Sequence, residues 1–298
     1  MSQATSELAA AERPERRDWS PLLLAAPNLI WLLLFMTGAL VTLAIMSLHG
    51  YEAGGRGILP TWELTHYKAF LTDRFFLDIL VRSLLMSLYV TLWCLLLGFP
   101  FAYALSRVRG WKRAVLYFVV LAPLLTSAVV RTFGWMILLS NNGFINKTLM
   151  NIGLIEMPIP MMYRMTGIVI ALVQVLLPFM ILALDAALLN IDRQLYDAAR
   201  NLGAGAARIF FQVTLPLALP GIVSGSILVF TLAISAFVTP ALIGGPRIPV
   251  MATLIYQQGI ALLNWPFGGA ISFVLLAVLL SILGLALAIA GRGRRAAR

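Results

Sequence analysis

The stretch "YDAARNLGAGAARIFFQVTLPLALPG", Tyr196–Gly221, decides how the whole chain is read. It is a polar, arginine-bearing island between two runs of residues suited to lipid. Leu195, Ala198, Ala199 and Leu202 recur at i, i+3, i+4 and i+7, which predicts a short helix from about Asp192 to Leu202 with one apolar face. Asp192 or Asp197 near its start suits the positive end of the helix dipole, and Gly203 can take the positive φ that stops it. A second short helix, "AARIFFQV", is expected after the glycine break, with Pro216 and Pro220 bracketing the start of the next apolar run. A helix that merely rests on headgroups would carry bulky apolar residues and many lysines. This one offers alanines and a glycine, so it reads as a docking surface for a soluble partner.

The rest of the chain is oily. Of its 298 residues, 61% are hydrophobic and 11% charged, and the mean hydropathy is +0.92. Soluble domains run at about 45–50% apolar and about 25% charged, and a soluble chain of this kind would leave large apolar patches in water. The class is all-α integral membrane protein. The net charge of +10 is spread through short loops beside apolar runs, which marks membrane topology and excludes a nucleic-acid surface. Cys94 is the only cysteine, so no intrachain disulfide can form, and His49 and His66 have no cysteine partners for a zinc site. No paired carboxylates or nucleophile–base set stands out, so the chain is not read as an enzyme.

A span needs about 20 apolar residues. Six segments qualify: Leu22–Leu48, Ile79–Leu105, Ala114–Leu139, Gly167–Leu189, Leu219–Ile243 and Gly268–Ala290. Residues 1–21 are too long and too mixed in charge for a signal-peptide n-region, so they are expected to stay as a cytoplasmic tail. The transmembrane domain is then 22–290, interrupted by a cytoplasmic loop at 190–217 and followed by a basic tail at 291–298. With both termini inside, the tail, the first inner loop, the island region and the C-terminus carry three, four, three and four Lys or Arg, fourteen of the 22. The positive-inside rule favours that orientation. The outer segments "LTHYKAFLTDRFFLDIL" and "NNGFINKTLMNIGLIEMP" read either as amphipathic interfacial helices or as plain connecting loops.

Asp197-Ala198-Ala199, three residues, Gly203, nine residues, then Val213-Thr214-Leu215-Pro216 closely resembles the EAA loop of permease subunits in ATP-binding-cassette (ABC) importers. Asp stands for that pattern's Glu and Val for its Ile. "RSLLMSLYVTLWCLLLGFPFAYALSR" in span two, "VVRTFGWMILLSNNGFINKTLMNIGLI" after span three and "SAFVTPALIGGP" at the end of span five are similar to the spermidine/putrescine permeases. The resemblance implies a type I importer permease fold with six spans in a bacterial inner membrane. It implies a separate cytoplasmic ATPase dimer that binds ATP and Mg, a second homologous permease chain, and an external substrate-binding protein. It assigns ATPase coupling to Leu195, Asp197, Ala198, Ala199, Leu202, Gly203, Val213, Leu215 and Pro216, with Gly203 as the hinge. None of Lys68, Lys112 and Lys147 stands in G-x-x-x-x-G-K-[ST], so ATP hydrolysis is not expected from this chain and no cofactor of its own is implied.

For the substrate path, Tyr89, Trp93, Trp135 and Phe237 offer aromatic faces for ammonium groups, and Gln174 and Asp185 offer acceptors. Packing, or for Asp185 an arginine partner, competes with that reading at each position. Arg131 in span three reads as a snorkelling or structurally bonded cation, because it would repel a polycation. Gly221 and Gly225 form a GxxxG step in span five, read as a packing face. The likeness leans toward polyamines, with thiamine, amino-acid-like compounds and oxyanions still open. A transporter driven by an ion gradient would call for a midplane ion site and internal repeats, neither of which is visible.

Overall fold

The computed structural model describes residues 20–52 and 57–296, with side chains over 26–52 and 57–288. The tail expected over 1–21, apart from its last two residues, and the side chains of the basic tail at 291–298 lie outside the described residues. The chain divides into two units, Met1–Met46 and Ser47–Arg298.

The first unit holds nearly all of α1 (Ser20–Ser47). Over Ala26–Ser47 apolar residues cover every side of this helix, as a span requires. The Thr42 hydroxyl donates to the Gly38 carbonyl at 2.8 Å, so that polar group is satisfied inside the helix.

The second unit opens on an antiparallel hairpin, β1 (His49–Glu52) and β2 (Gly57–Trp62). Its short strands are broken by Gly and Pro, and no period-two pattern announces them in the sequence. After it come α2 (Thr65–Thr72), α3 (Arg74–Arg107), α4 (Trp111–Leu121), α5 (Ala128–Leu139), α6 (Phe144–Asn151) and α7 (Met165–Leu189). They are followed by α8 (Arg193–Asn201), α9 (Ala206–Ile209), α10 (Leu215–Ile234), α11 (Met251–Tyr256) and α12 (Trp265–Ala296). The two outer segments that allowed interfacial helices contain α2 and α6. Asn146 organises the loop around α6: it is buried, donates to the Ser140 and Ile159 carbonyls, and accepts from the Ile159 N–H at 2.9 Å.

Among the described residues, five helices are long and apolar enough to cross a membrane, and α4 with α5 and α6 makes a sixth if that bent pair is one span. The core is the packing of α3, α7 and α10. Met86, Val90, Cys94 and Leu105 of α3, Ile168, Leu172, Met180 and Leu184 of α7, and Val229 and Ala233 of α10 are all buried in it. Gly221 and Gly225 let α10 approach α7 closely. A Cβ at Gly221 would lie 2.3 Å from the Ala187 Cβ, and one at Gly225 would lie 2.8 Å from the Met180 sulfur. The GxxxG step is a packing face, as small-residue stripes in bilayers commonly are. A second cluster, Phe70, Ile79, Met251, Leu254, Phe267 and Ile271, joins α2, α11 and the first turns of α12 to the start of α3. There the buried Ser83 hydroxyl takes the Met251 N–H at 2.8 Å, filling an orphan donor at the start of α11.

Two spans differ from the sequence-based boundaries. The third, expected as one run over Ala114–Leu139, is broken: Trp111–Leu125 and Ala128–Asn151 meet at 94°. Ala122–Leu125 is a 3-10 turn with Pro123 in its first positions, and Thr126 and Ser127 are extended. Proline cannot supply the i−4 bond that would carry a straight helix through. Arg131 closes the corner by donating to the Pro123 carbonyl at 2.7 Å, the structural bond that the sequence reading allowed. The fifth span begins earlier than Leu219. It runs unbroken over Ala206–Ile234, because a π turn at Phe210–Thr214 joins α9 to α10. "AARIFFQV" is therefore the first part of span five and not a separate helix. Pro216 follows directly on this π turn, and the run continues past it.

Candidate functional site

The island folds as a capped helix at one end of the bundle. The Asp192 side chain accepts from the Gln194 N–H at 2.9 Å, which settles Asp192 and not Asp197 as the N-cap of α8. At the other end Gly203 has φ +76°. The Gly203 N–H bonds to the Arg200 carbonyl at 2.9 Å and the Ala204 N–H to the Ala199 carbonyl at 3.0 Å. This is a Schellman stop, and it needs a left-handed residue just past the helix. Asp197 lies 3.9 Å from Arg200, both largely exposed, and such a pair contributes little to stability.

The apolar face of α8 is turned away from its own chain. Leu195 and Leu202 are 46% and 87% exposed, and Ala198 is exposed beside them. Ala199 is half-buried. The opposite side is tethered. The Arg107 guanidinium lies over the ring of Tyr103 at 4.3 Å and 5.8 Å from the ring of Tyr196, and it donates to the Tyr103 hydroxyl. Thr214 Oγ1 sits 3.5 Å from both the Tyr196 hydroxyl and the Ile209 carbonyl, inside the π turn. Phe210 packs edge-on against Phe99 and Tyr103, with ring centroids 5.6 and 5.8 Å away. Of the remaining motif residues, Val213 and Leu215 are half-buried, Leu215 against the core, and Pro216 is exposed. Two routes thus lead from α8 into the bundle, through Gly203 to the continuous α9–α10 helix and through Tyr196 and Phe210 to α3. Tyr196, Phe210, Tyr103 and Arg107 were not singled out from the sequence. Only the spacing of Tyr103 and Arg107, one turn apart, hinted at them.

The six candidate path residues lie on α3, α5, α7 and the segment after α10. Trp135 Nε1 donates to Gln174 Oε1 at 3.2 Å, joining α5 to α7. Phe237 stacks at a tilt on Tyr256, with centroids 4.8 Å apart. Tyr89 and Trp93 stand one turn apart on the exposed side of α3. Asp185 is paired: its Oδ2 accepts from Arg113 Nη2 at 2.9 Å and from the Tyr117 hydroxyl.

A short helix capped at both ends thus stands at one end of an apolar bundle, tied to two of its spans. Residues 19–290 match the family described as "binding-protein-dependent transport system inner membrane component", and the chain belongs to that family. It is 36% identical over 209 residues, covering 70% of this chain and 76% of the relative, to the spermidine/putrescine transport system permease protein PotB of Escherichia coli (strain K12). It is 37% identical over 215 residues to PotB of Haemophilus influenzae, covering 71% of this chain and 75% of that one. Its fold is that of a solved bacterial alginate ABC transporter, crystallised in complex with a periplasmic protein carrying an alginate pentasaccharide. The TM-score is 0.74 at 20% identity, over 91% of this chain and 93% of that one. The chain is thus an inner-membrane ABC importer permease.

Proposed function

We propose that this permease forms half of the translocation pathway for a polyamine of the spermidine/putrescine kind, paired with a second homologous permease. Work reaches it from a separate cytoplasmic ATPase dimer, which binds ATP and Mg. An external substrate-binding protein delivers the solute to the opposite side. Both termini and α8 lie in the cytosol, in keeping with the distribution of Lys and Arg. The substrate class rests on the likeness to the two PotB proteins.

One observation carries the coupling role: α8 leaves Leu195, Ala198 and Leu202 uncovered by its own chain while its other side is fastened to the bundle. An exposed apolar strip on a rigid support marks a docking site. Closure of the ATPase dimer pushes α8 as a unit, and the continuous α9–α10 helix carries that displacement into the core. Gly203 is the hinge between lever and span.

The test is reconstitution. The chain, coexpressed with its neighbouring ATPase, second permease and binding protein, should copurify with them and take up labelled spermidine only with ATP. Asp197→Lys should lower uptake and substrate-stimulated ATPase together. Uptake by the chain alone, driven by an ion gradient, would overturn the reading.

A further inference from the structure

A second side of α8, distinct from its apolar strip, has a chemistry of its own. Arg193, Tyr196, Asp197 and Arg200 lie at helical spacing about 200° around the helix from Leu195, Ala198, Ala199 and Leu202. Together with Arg107 at the end of α3 and Leu188 and Leu189 at the end of α7 they enclose a cleft of about 390 Å³. Three arginines line it against one aspartate. Stacking on Tyr103 fixes the plane of Arg107, and a planar, oriented guanidinium suits the bidentate geometry of a phosphate.

Two further features narrow the ligand. Arg200 and Asp197 keep 64% and 70% of their side chains exposed, so the cleft suits an anion that stays partly in water. The leucine wall belongs to the last turn of α7, a helix long and apolar enough to cross a membrane. Basic recesses between spans on the cytoplasmic side commonly hold anionic headgroups. We propose that this cleft binds the phosphate headgroup of an anionic membrane lipid and so links α8 to the end of α3. An acidic side chain of the ATPase is the less favoured occupant, because Leu188 and Leu189 give the cleft an apolar wall that suits an acyl chain.

The full chain, purified in detergent and exchanged into equal phosphatidylglycerol and phosphatidylcholine of matched chains, is examined by native mass spectrometry. Phosphatidylglycerol should be retained preferentially. Arg193→Gln and Arg200→Gln should each lower that preference about fivefold, and adding Arg107→Gln should abolish it. These side chains are exposed, and a thermal melt of each variant separates lost binding from lost folding. The proposal fails if phosphatidylcholine is held equally well, or if the triple variant keeps the wild-type preference. It fails equally if millimolar inorganic phosphate displaces the lipid completely, since the ligand would then be the free anion. Lipid displaced by added ATPase, with ATPase binding that requires the same three arginines, would assign the cleft to the partner instead. Retention in detergent does not depend on which side of the membrane the cleft faces, so a negative result bears on the site and not on the topology.

Discussion

Arg113 and Asp185, 72 residues apart, join the first turn of α4 to the last turns of α7 with a 2.9 Å bond. The pair is lopsided. Asp185 is 1% exposed, its Oδ1 has no hydrogen-bond partner, and Arg113 keeps 24% of its side chain accessible. Removing the arginine strands a buried carboxylate, whereas removing the carboxylate leaves an arginine that can reach solvent. Arg113→Ala should therefore cost more than Asp185→Asn by about 1–2 kcal/mol, and the double variant should recover part of the loss. Thermal unfolding of the purified chain in detergent measures this. A double variant whose loss equals the sum of the two single losses would mean that the two charges are not coupled.

Arg131 holds the corner of span three through the Pro123 carbonyl. Arg131→Met drops a charged donor at about 1.5–3 kcal/mol, while Arg131→Lys should fall between it and the wild type. Apparent Tm and ATP-dependent uptake should decline in that order. A methionine variant as stable and active as the wild type would show that the bend stands without this bond.

Gly203 occupies the left-handed region. Gly203→Ala should cost about 1 kcal/mol locally and slow uptake modestly. Gly203→Pro forces φ negative and removes the N–H that bonds to Arg200, so it should unlock the end of α8. Uptake should then drop sharply while basal ATPase activity of the assembled complex persists. Normal coupling in the proline variant would rule out Gly203 as the hinge.

Ala198 lies at the middle of the uncovered face of α8. Ala198→Trp should leave stability within about 0.5 kcal/mol, as surface substitutions do, yet block close approach of a partner. Copurification with the ATPase should fall without a change in Tm. Undiminished copurification would place the docking surface elsewhere.

Gly221 faces Ala187 too closely for any side chain. Gly221→Val should overpack the α7–α10 contact at about 1–3 kcal/mol and lower Tm and the yield of folded protein. Unchanged Tm and yield would show that this contact has room to relax. Gly134, which has nothing near its missing Cβ, is the control, and Gly134→Ala should be tolerated.

Much of this protein could be read from residue order because the physics involved is local. The length of an apolar run establishes that a segment spans the bilayer, and the i, i+3, i+4 recurrence around Ala198 with a glycine at 203 establishes a short helix and its stop. The spacing from Asp197 to Pro216 was enough to recognise the importer loop. The hairpin was hidden because its strands are short and interrupted. The broken third span and the continuous fifth depended on how the backbone satisfies its hydrogen bonds around Pro123 and Thr214. The pairing of Asp185 with Arg113, and the seating of Tyr196 of α8 beside Arg107 of α3, depended on packing between distant segments. Such contacts carry no signature in neighbouring residues. They exist only once α3, α4, α7 and α8 have been brought to the same end of the bundle, and there the choice of partner for each charge is made.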